Sequence, residues 1–285
     1  MLLSKIYEQL NLPDKTYLGT RVAKKQLIEN SQLSSSDKKA VQEDIEAIIW
    51  RNTLKNTTLN IAPYHETIEA NNESTDKLDS DSYVLEYNEI AVIEVTIRST
   101  TRAKKIAELI QRAIPYPILL VLHLKHVTAE NEPSIILNLA TKRLSKADHS
   151  KLKVERFYQS PAFTLEQLTS DSIEDTFLKS LTVEKQSFVN FYEFYMGWVK
   201  QFLDLEKSKH TNEFTESDNQ SVDIAQAKSQ AQLLDSISSL ESKLAGIRKK
   251  ITQEGQINRK VELNIQAQKI KNQLSILKSE LEVTC

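Results

Sequence analysis

The chain has few of the residues that interrupt regular structure. Its 285 residues include only 4 glycines and 6 prolines, which suits helices and disfavours a loop-rich β fold. The single cysteine, Cys285, excludes an intrachain disulfide, and we expect a solvated thiol in a reducing compartment. No apolar run approaches the roughly 20 residues of a membrane-spanning helix. The residues after Met1 lack the apolar core of a signal peptide. We therefore expect a soluble, cytoplasmic protein that does not bind a membrane.

The chain also lacks a strong net charge and the common catalytic motifs. A formal net charge of −2 gives no overall attraction to nucleic acid. The glycines are too far apart for a Walker A loop or a dinucleotide-binding cluster, and no serine lies in a G-x-S-x-G turn. There is no zinc motif, and on a strand His123 and His126 would point to opposite faces. The sequence therefore predicts no cofactor and no metal, and it favours a non-enzymatic protein.

What the chain does contain is a pair of heptad-like apolar runs near its C-terminus. The first run has four-three spacing and comprises Leu233, Ile237, Leu240, Leu244, Ile247 and Ile251. The second run repeats that spacing and comprises Leu263, Ala267, Ile270, Leu274, Leu277 and Leu281. The step from Ile251 to Leu263 breaks the phase, and the polar segment Thr252–Gln256 lies between the runs. The pattern predicts an antiparallel coiled-coil hairpin, with pairing to another chain as the alternative.

The tip of this predicted hairpin is a candidate partner-binding site. Ile257 has no partner in the seam, and an apolar residue at an exposed tip indicates a contact. The candidate contact residues are Ile257, Asn258, Lys260 and Glu262. A projecting helical hairpin of this kind is suited to binding a partner protein.

We predict five regions along the chain. They are an N-terminal helical region at 1–62, an acidic polar loop at 63–82, an α+β core at 83–205, a polar linker at 206–221 and the hairpin at 222–285. The N-terminal region is predicted to hold a short helix from near Thr20 to near Asn30. A longer helix is predicted from Lys38 to Leu54, after a cluster of N-cap residues at Ser34–Asp37.

The core region changes from a helical period to runs rich in β-branched residues. We predict strands at Ile90–Ile97, Ile118–Leu122, Ser134–Ala140 and Lys151–Tyr158, and a helix at Arg102–Ile114. Further helices are predicted at Leu165–Leu168, Ile173–Leu181 and Lys185–Leu205, the last with an aromatic stripe that packs in the core. The fold class is therefore α+β: N-terminal helices, a small mixed sheet of order β-α-β-β-β with flanking helices, and the C-terminal hairpin.

One catalytic hypothesis rests on Asp81 and Glu94. Asp81 precedes the short extended piece Tyr83–Tyr87, and Glu94 lies on the next strand, before a helix and a buried strand. This order resembles the restriction-endonuclease-like nuclease core, in which an aspartate and a Glu-x-Lys pair hold Mg²⁺. Thr96 stands at the lysine position here, and Arg98 lies one strand step further. A half-exposed strand face is the alternative interpretation.

A group of basic residues follows the first core strand. It comprises Arg98, Arg102, Lys104 and Lys105, near the start of the predicted helix. Cations at a helix N-terminus can contact phosphate, so these residues are candidates for a weak contact with nucleic acid. A solvated helix face is the alternative.

Three segments together resemble an uncharacterised bacterial family, known only as a domain of unknown function (number 4391). They are Asp44–Trp50 leading to Leu59–Ile61, then Ala113–Leu119, and finally Gln256–Asn264. The resemblance spans nearly the whole chain, and the acidic loop at Asn71–Asp81 looks longer than usual for the family. Members are often encoded beside DNA methyltransferases and helicases that resemble type III restriction or antiphage systems. The resemblance implies a part in such a system and supplies no catalytic residues.

These observations lead to one expectation and two alternatives. We expect a non-catalytic accessory or scaffolding subunit of a DNA restriction-modification or antiphage defence complex. Its hairpin would bind a methyltransferase or helicase, and its contact with DNA would be indirect or weak. The alternatives are a Mg²⁺-dependent nuclease with a degenerate motif around Asp81 and Glu94, or a self-assembling structural protein that forms a homodimer through the coiled coil.

Overall fold

The computed structural model describes residues 2–29, 33–69, 82–125, 132–146, 152–216, 219 and 222–283. The chain divides into two units. The first comprises Met1–Phe202 and Glu216–Val222, and the second comprises Leu203–Thr215 and Asp223–Cys285. The predicted loop residues 70–81, including Asp81, lie outside the described residues, as do His126 and Cys285.

Helices and strands alternate through the first unit, and the C-terminal part is helical. The strands are β1 (Tyr17–Arg21), β2 (Ile45–Lys55), β3 (Tyr64–Ile68), β4 (Tyr83–Tyr87), β5 (Glu89–Ile97), β6 (Ile118–Leu124), β7 (Ser134–Ser145), β8 (Leu152–Gln159) and β9 (Phe163–Thr164). The α-helices are α1 (Leu2–Leu10), α2 (Lys24–Glu29), α3 (Ser35–Asp44), α4 (Asn56–Leu59), α5 (Ala103–Ala113), α6 (Ile173–Ser180), α7 (Phe191–Thr211), α8 (Ile224–Gln253) and α9 (Ile257–Val283). No helix among the described residues has the length and apolar character needed to cross a bilayer.

The strands of the described residues form one mixed sheet. Its order is β1-β2-β5-β6-β7-β4-β3, and β8 and β9 also pair with β7. β5 and β6 are parallel and α5 connects them, whereas the other strand pairs named here are antiparallel. The predicted order of strand, helix and three strands is therefore confirmed as β5-α5-β6-β7-β8, and the α+β class with a mixed sheet is confirmed with it.

One hydrophobic core lies between one face of the sheet and α5. Alternate residues of β5 and β6 point to this face and meet the apolar side of the helix, because side chains alternate along a strand. The fully buried members include Ala91, Ile93, Val95, Ile97, Ile106, Ile110, Ile118, Leu120 and Leu122. β6 is buried on both faces, as its unbroken apolar run predicts.

The helix predicted from Lys38 to Leu54 is wrong beyond Asp44. The Ser34 hydroxyl caps α3 by accepting the Asp37 backbone N–H at 3.2 Å, but the chain from Ile45 onward is strand β2. Two irregularities in the β2–β5 register shift the alternation of side chains. The first lies between Ile45 and Ala47, so Ile45 and Ile48 both reach the core under α5, and their spacing of three imitates a helical period.

Other predicted boundaries are also corrected. The short helix α2 begins at Lys24, because Thr20 belongs to β1. The segment Leu165–Leu168 contains turns and no helix. α7 begins at Phe191 and continues to Thr211, so it includes the first residues of the predicted linker.

The aromatic stripe on α7 packs in the core as predicted. Its buried members are Phe191, Tyr192, Tyr195, Trp198 and Phe202, whereas Phe188 precedes the helix and is exposed.

A side chain of α7 also supplies backbone hydrogen bonds where the pairing of β7 with its neighbouring strands is interrupted. This strand pairs with β6 as far as Asn138 and with β4 from Leu144. Between these points the Tyr195 hydroxyl accepts the Ala140 N–H at 3.0 Å and contacts the main-chain oxygens of Ile118 at 3.0 Å and Ala140 at 3.1 Å. A side chain therefore satisfies buried backbone groups that no neighbouring strand reaches.

Candidate partner-binding site

The second unit contains the antiparallel hairpin that the apolar spacing predicts. α8 begins with Asp223 as its N-cap, whose carboxylate accepts the Gln226 backbone N–H at 2.9 Å. α8 and α9 then pack against each other, and Lys278 on α9 forms an ion pair with Glu241 on α8 at 2.8 Å. The seam positions of both runs are buried or half-buried along the two helices. The intrachain hairpin is confirmed.

A short turn of Glu254, Gly255 and Gln256 connects the two helices. The Glu254 backbone N–H donates to the oxygen of Lys250 at 2.9 Å, and the Glu254 carboxylate accepts the Gln256 N–H at 2.9 Å. This bond from the Gln256 N–H lowers the pKa of Glu254, since hydrogen bonds to the ionised form stabilise it. The turn therefore satisfies its own backbone groups and presents the start of α9 to solvent.

The predicted contact residues lie together in the first turns of α9. The Ile257 side chain is 78% exposed, and Asn258 and Glu262 are also exposed. Lys260 is half-buried, and its backbone is held by the oxygen of Gln256 and the amide of Asn264. The structure thus presents an aliphatic side chain, an amide and charges of both signs on one fixed helical segment, which is a surface suited to a protein contact.

The basic surroundings of the tip were not singled out in the sequence. Arg248, Lys249 and Lys250 end α8, and Arg259 and Lys260 begin α9. The segment 248–262 contains two carboxylates, Glu254 and Glu262. Five cations and two anions leave this segment with a net charge of +3, on a chain whose total is −2. The cations lie close together in the sequence on either side of Gly255, so the sequence alone could have predicted a basic cluster here.

Four exposed aliphatic residues farther along α9 were not predicted. They are Val261, Ile265, Ile276 and Val283. Their spacing from Ile257 is visible in the sequence as a second row, which lies on the same helix as the four-three seam.

Of the two residues in the nuclease hypothesis, Glu94 is among those that the structure describes. It lies on β5 and is 7% exposed. Its carboxylate accepts the Tyr7 hydroxyl at 3.1 Å and lies 3.6 Å from the Arg51 guanidinium. The same guanidinium stacks on the Tyr7 ring at 3.6 Å from the ring centre. Burial and the Glu94 carboxylate raise the pKa of Tyr7, so its hydroxyl stays a donor at neutral pH. The structure therefore places a cation and a phenol beside the carboxylate.

His123 lies on β6 with its side chain half-buried. Burial lowers its pKa, and the Glu94 carboxylate opposes that shift. Within the described residues no group of three or more His, Cys, Asp or Glu side chains could hold a metal ion.

The candidate nucleic-acid residues tie α5 to α3 instead of forming a free cationic patch. The Arg98 guanidinium donates to the main-chain oxygen of Glu43 at the C-terminal end of α3. Arg102 pairs with Asp44 at 3.0 Å, and Lys105 pairs with Asp37 at 3.0 Å. Lys104 is exposed. The neighbouring carboxylates reduce the positive potential that would attract phosphate.

A small cavity of about 150 Å³ lies between β4, β7 and the turn before β6. Its lining includes Tyr87, Tyr116, Pro117, Lys142 and Arg143. Pockets for cofactors or drug-sized ligands have volumes of roughly 300–1,000 Å³. This cavity is below that range.

The family assignment agrees with the resemblance carried by the three segments. The model of the family described as Domain of unknown function (DUF4391) matches residues 10–73 and 77–274. The chain belongs to this family. No curated protein and no solved structure matches it. The matched range includes the whole sheet, α7, α8 and residues 257–274 of α9, so the match extends into the hairpin.

Proposed function

We propose that this DUF4391 protein is a non-catalytic accessory subunit of a bacterial DNA restriction or antiphage defence complex. In this proposal the tip of the α8–α9 hairpin binds a protein partner, either a DNA methyltransferase or a helicase. The restriction or defence context rests on the resemblance to proteins encoded beside such enzymes. DNA is then contacted through the partner.

The observation that supports this proposal most directly is the exposure of Ile257 on a hairpin with its own seam. The apolar seam residues of α8 and α9 cover one another, so the hairpin does not need a partner to bury them. The fold buries little of the Ile257 side chain, since 78% of its surface remains in water. An exposed aliphatic residue surrounded by cations at the end of a stable hairpin is consistent with a specific docking point.

The proposal can be tested with full-length protein and the products of the adjacent genes. We expect Ile257→Asp to abolish or strongly reduce co-purification of the methyltransferase or helicase, because it places a carboxylate at the centre of the contact. Gln232→Asp is the matched control, since it adds the same charge to an exposed position of α8 that is remote from the tip. Circular dichroism should show the same helix content in both variants.

Two results would contradict the proposal. One is that neither neighbouring protein co-purifies with the wild-type chain. The other is that Ile257→Asp retains the partner as well as Gln232→Asp does.

The competing nuclease hypothesis makes a separate prediction. It requires Mg²⁺-dependent cleavage of DNA that Glu94→Ala removes. Because the Glu94 carboxylate already contacts Tyr7 and Arg51, the geometry supports a structural role for it better than a metal-binding one. Cleavage of single- or double-stranded DNA by the wild type, absent in Glu94→Ala, would favour the nuclease.

A further inference from the structure

The outer face of α9 carries a second apolar row. Ile257, Val261, Ile265, Ile276 and Val283 are between 52% and 83% exposed. At about 100° of rotation per residue, these five side chains fall within an arc of about 100°. The centre of this arc lies about 180° from the centre of the buried seam on the same helix. α9 is therefore apolar on two opposite faces, and only one of them packs against α8.

The arc contains no charged residue. Besides the five aliphatic residues, its members are Asn258, Gln268, Asn272, Ser275 and Ser279. Steps of four or three residues from Ile257 to Val283 define a row of eight positions. Gln268 and Asn272 occupy the middle of this row. The Gln268 amide donates to the Asn272 side-chain oxygen at 3.1 Å. Amides in the middle of an apolar row are typical of a coiled-coil seam in which polar residues specify the register.

Two lysines border the middle of the row. Lys269 lies about 20° beyond one edge of the arc and Lys271 about 40° beyond the other, and both are exposed. Toward the two ends of the row, Glu262, Glu280 and Glu282 lie at most about 40° beyond these edges. In the described part of the chain neither ammonium group has a carboxylate within salt-bridge distance. Residues at the edges of a coiled-coil seam determine which partner helix is accepted, because they face the corresponding positions of that helix.

These lysines disfavour pairing with a second copy of α9. In a parallel pair opposite edges of the two helices meet, so Lys269 of one helix would lie beside Lys271 of the other. An antiparallel pair that matches Ile257 with Val283 is centred near residue 270, so the lysines of the two copies would again lie within one helical turn of one another. Like charges in these positions are destabilising, whereas acidic residues would pair with the lysines.

From this arrangement we infer that the outer face of α9 is a docking surface for an amphipathic helix of a different protein, one with acidic residues at the edge positions that face the middle of the row. This surface goes beyond the proposed tip contact and shares only the first turns of α9 with it. Docking would produce a three-helix arrangement of α8, α9 and the partner helix. The apolar row supplies the binding energy, and the two lysines select an acidic partner.

The inference can be tested with the full chain and two synthetic helical peptides. Both peptides carry the same seam of Ile, Leu and Asn, but one has Glu and the other has Lys at the edge positions that face Lys269 and Lys271. Fluorescence anisotropy at low salt should show that the Glu-edged peptide binds about tenfold more tightly, a difference of about 1.4 kcal/mol. The variant Lys269→Glu/Lys271→Glu should reverse this preference. Ile265→Ser/Ile276→Ser should weaken binding of the preferred peptide, and the control Gln266→Ser, outside the arc, should not.

Several outcomes would overturn the inference. Equal affinity for both peptides would remove the role of the lysines, and binding of neither would remove the docking surface. Binding that Ile265→Ser/Ile276→Ser leaves unchanged would place the peptide elsewhere. A dimer in sedimentation that the same variant dissociates would show that a second copy occupies the row. The tip contact is tested separately, because Ile257→Asp and the adjacent gene products do not enter this experiment.

Discussion

The Lys142 amino group donates a 2.8 Å hydrogen bond to the main-chain oxygen of Tyr116, although Lys142 is only 5% exposed. A second bond of 2.8 Å reaches the oxygen of Ile114. Lys142 lies on β7 between the residues that pair with β6 and those that pair with β4. Its side chain therefore fills a place where strand pairing is interrupted, and it holds the Pro115–Pro117 turn at the start of β6.

This buried lysine should give the protein a characteristic dependence on pH. Burial lowers the pKa of Lys142 well below its ordinary value of 10.5. Between the folded and unfolded pKa values the unfolded chain binds the proton more tightly, so the free energy of unfolding rises with pH. From pH 7 to 10, urea denaturation should show a rise in the wild type that is smaller in Lys142→Met. Lys104→Met, at an exposed position, should retain the wild-type slope. Identical slopes in Lys142→Met and the wild type would contradict this account.

Two glycines should respond in opposite ways to alanine. Gly246 lies within α8 with open space around it, so Gly246→Ala should raise the free energy of unfolding by about 0.5–1 kcal/mol through helix propensity. At Gly197 a Cβ atom would lie 2.6 Å from the side-chain oxygen of Gln186. That amide is fixed by bonds of 2.9 Å to the oxygens of Ser180 and Thr182. Gly197→Ala should therefore cost about 1–3 kcal/mol. Thermal melts of both variants would check the signs.

The Tyr7–Glu94 hydrogen bond should contribute to stability. Tyr7→Phe removes a donor from a carboxylate that is 7% exposed, and we expect a loss of about 1–2 kcal/mol in urea denaturation at pH 7. Tyr64→Phe is the matched control, since the Tyr64 hydroxyl donates to Glu66, whose side chain is exposed. Its loss should stay below about 0.5 kcal/mol because water replaces the bond. Equal losses in the two variants would show that burial of Glu94 is unimportant.

Substitutions in the seam of the hairpin and on the outer row of α9 should differ in their effect on stability. Ile237 in the seam is fully buried, so Ile237→Ala should destabilise the hairpin by about 2–4 kcal/mol. Ile276 on the outer row is 66% exposed, and Ile276→Ala should cost less than about 0.5 kcal/mol. Amide hydrogen exchange of α8 and α9 measures this unit directly. Faster exchange in Ile276→Ala than in Ile237→Ala would mean that the faces are assigned wrongly.

Sequence patterns predicted the elements whose side chains follow one period. The strands β5, β6, β7 and β8 and the helix α5 were found because their apolar residues alternate, run unbroken or follow a helical spacing. β2 was missed because its two register shifts disguise the alternation of a strand. Pairing with β5 decided its conformation, and such pairing is not visible in the segment itself.

The candidate sites likewise contain residues that the sequence predicted and residues that it did not. Ile257 and its neighbours were predicted because a residue outside a regular seam is visible in the local spacing. Tyr7 and Arg51 were not predicted as partners of Glu94, because Tyr7 lies 87 residues away along the chain. Contacts between side chains so far apart depend on how the elements pack.

By itself the sequence determined the hairpin, since the four-three spacing and the break at Gly255 specify two helices and the turn between them from local information alone. It also contained the outer row of α9, which is a second period on the same helix. Only the tertiary structure decided the surroundings of Glu94 and the burial of Lys142. Burial and hydrogen bonding at these positions depend on strands and helices that approach from distant parts of the chain.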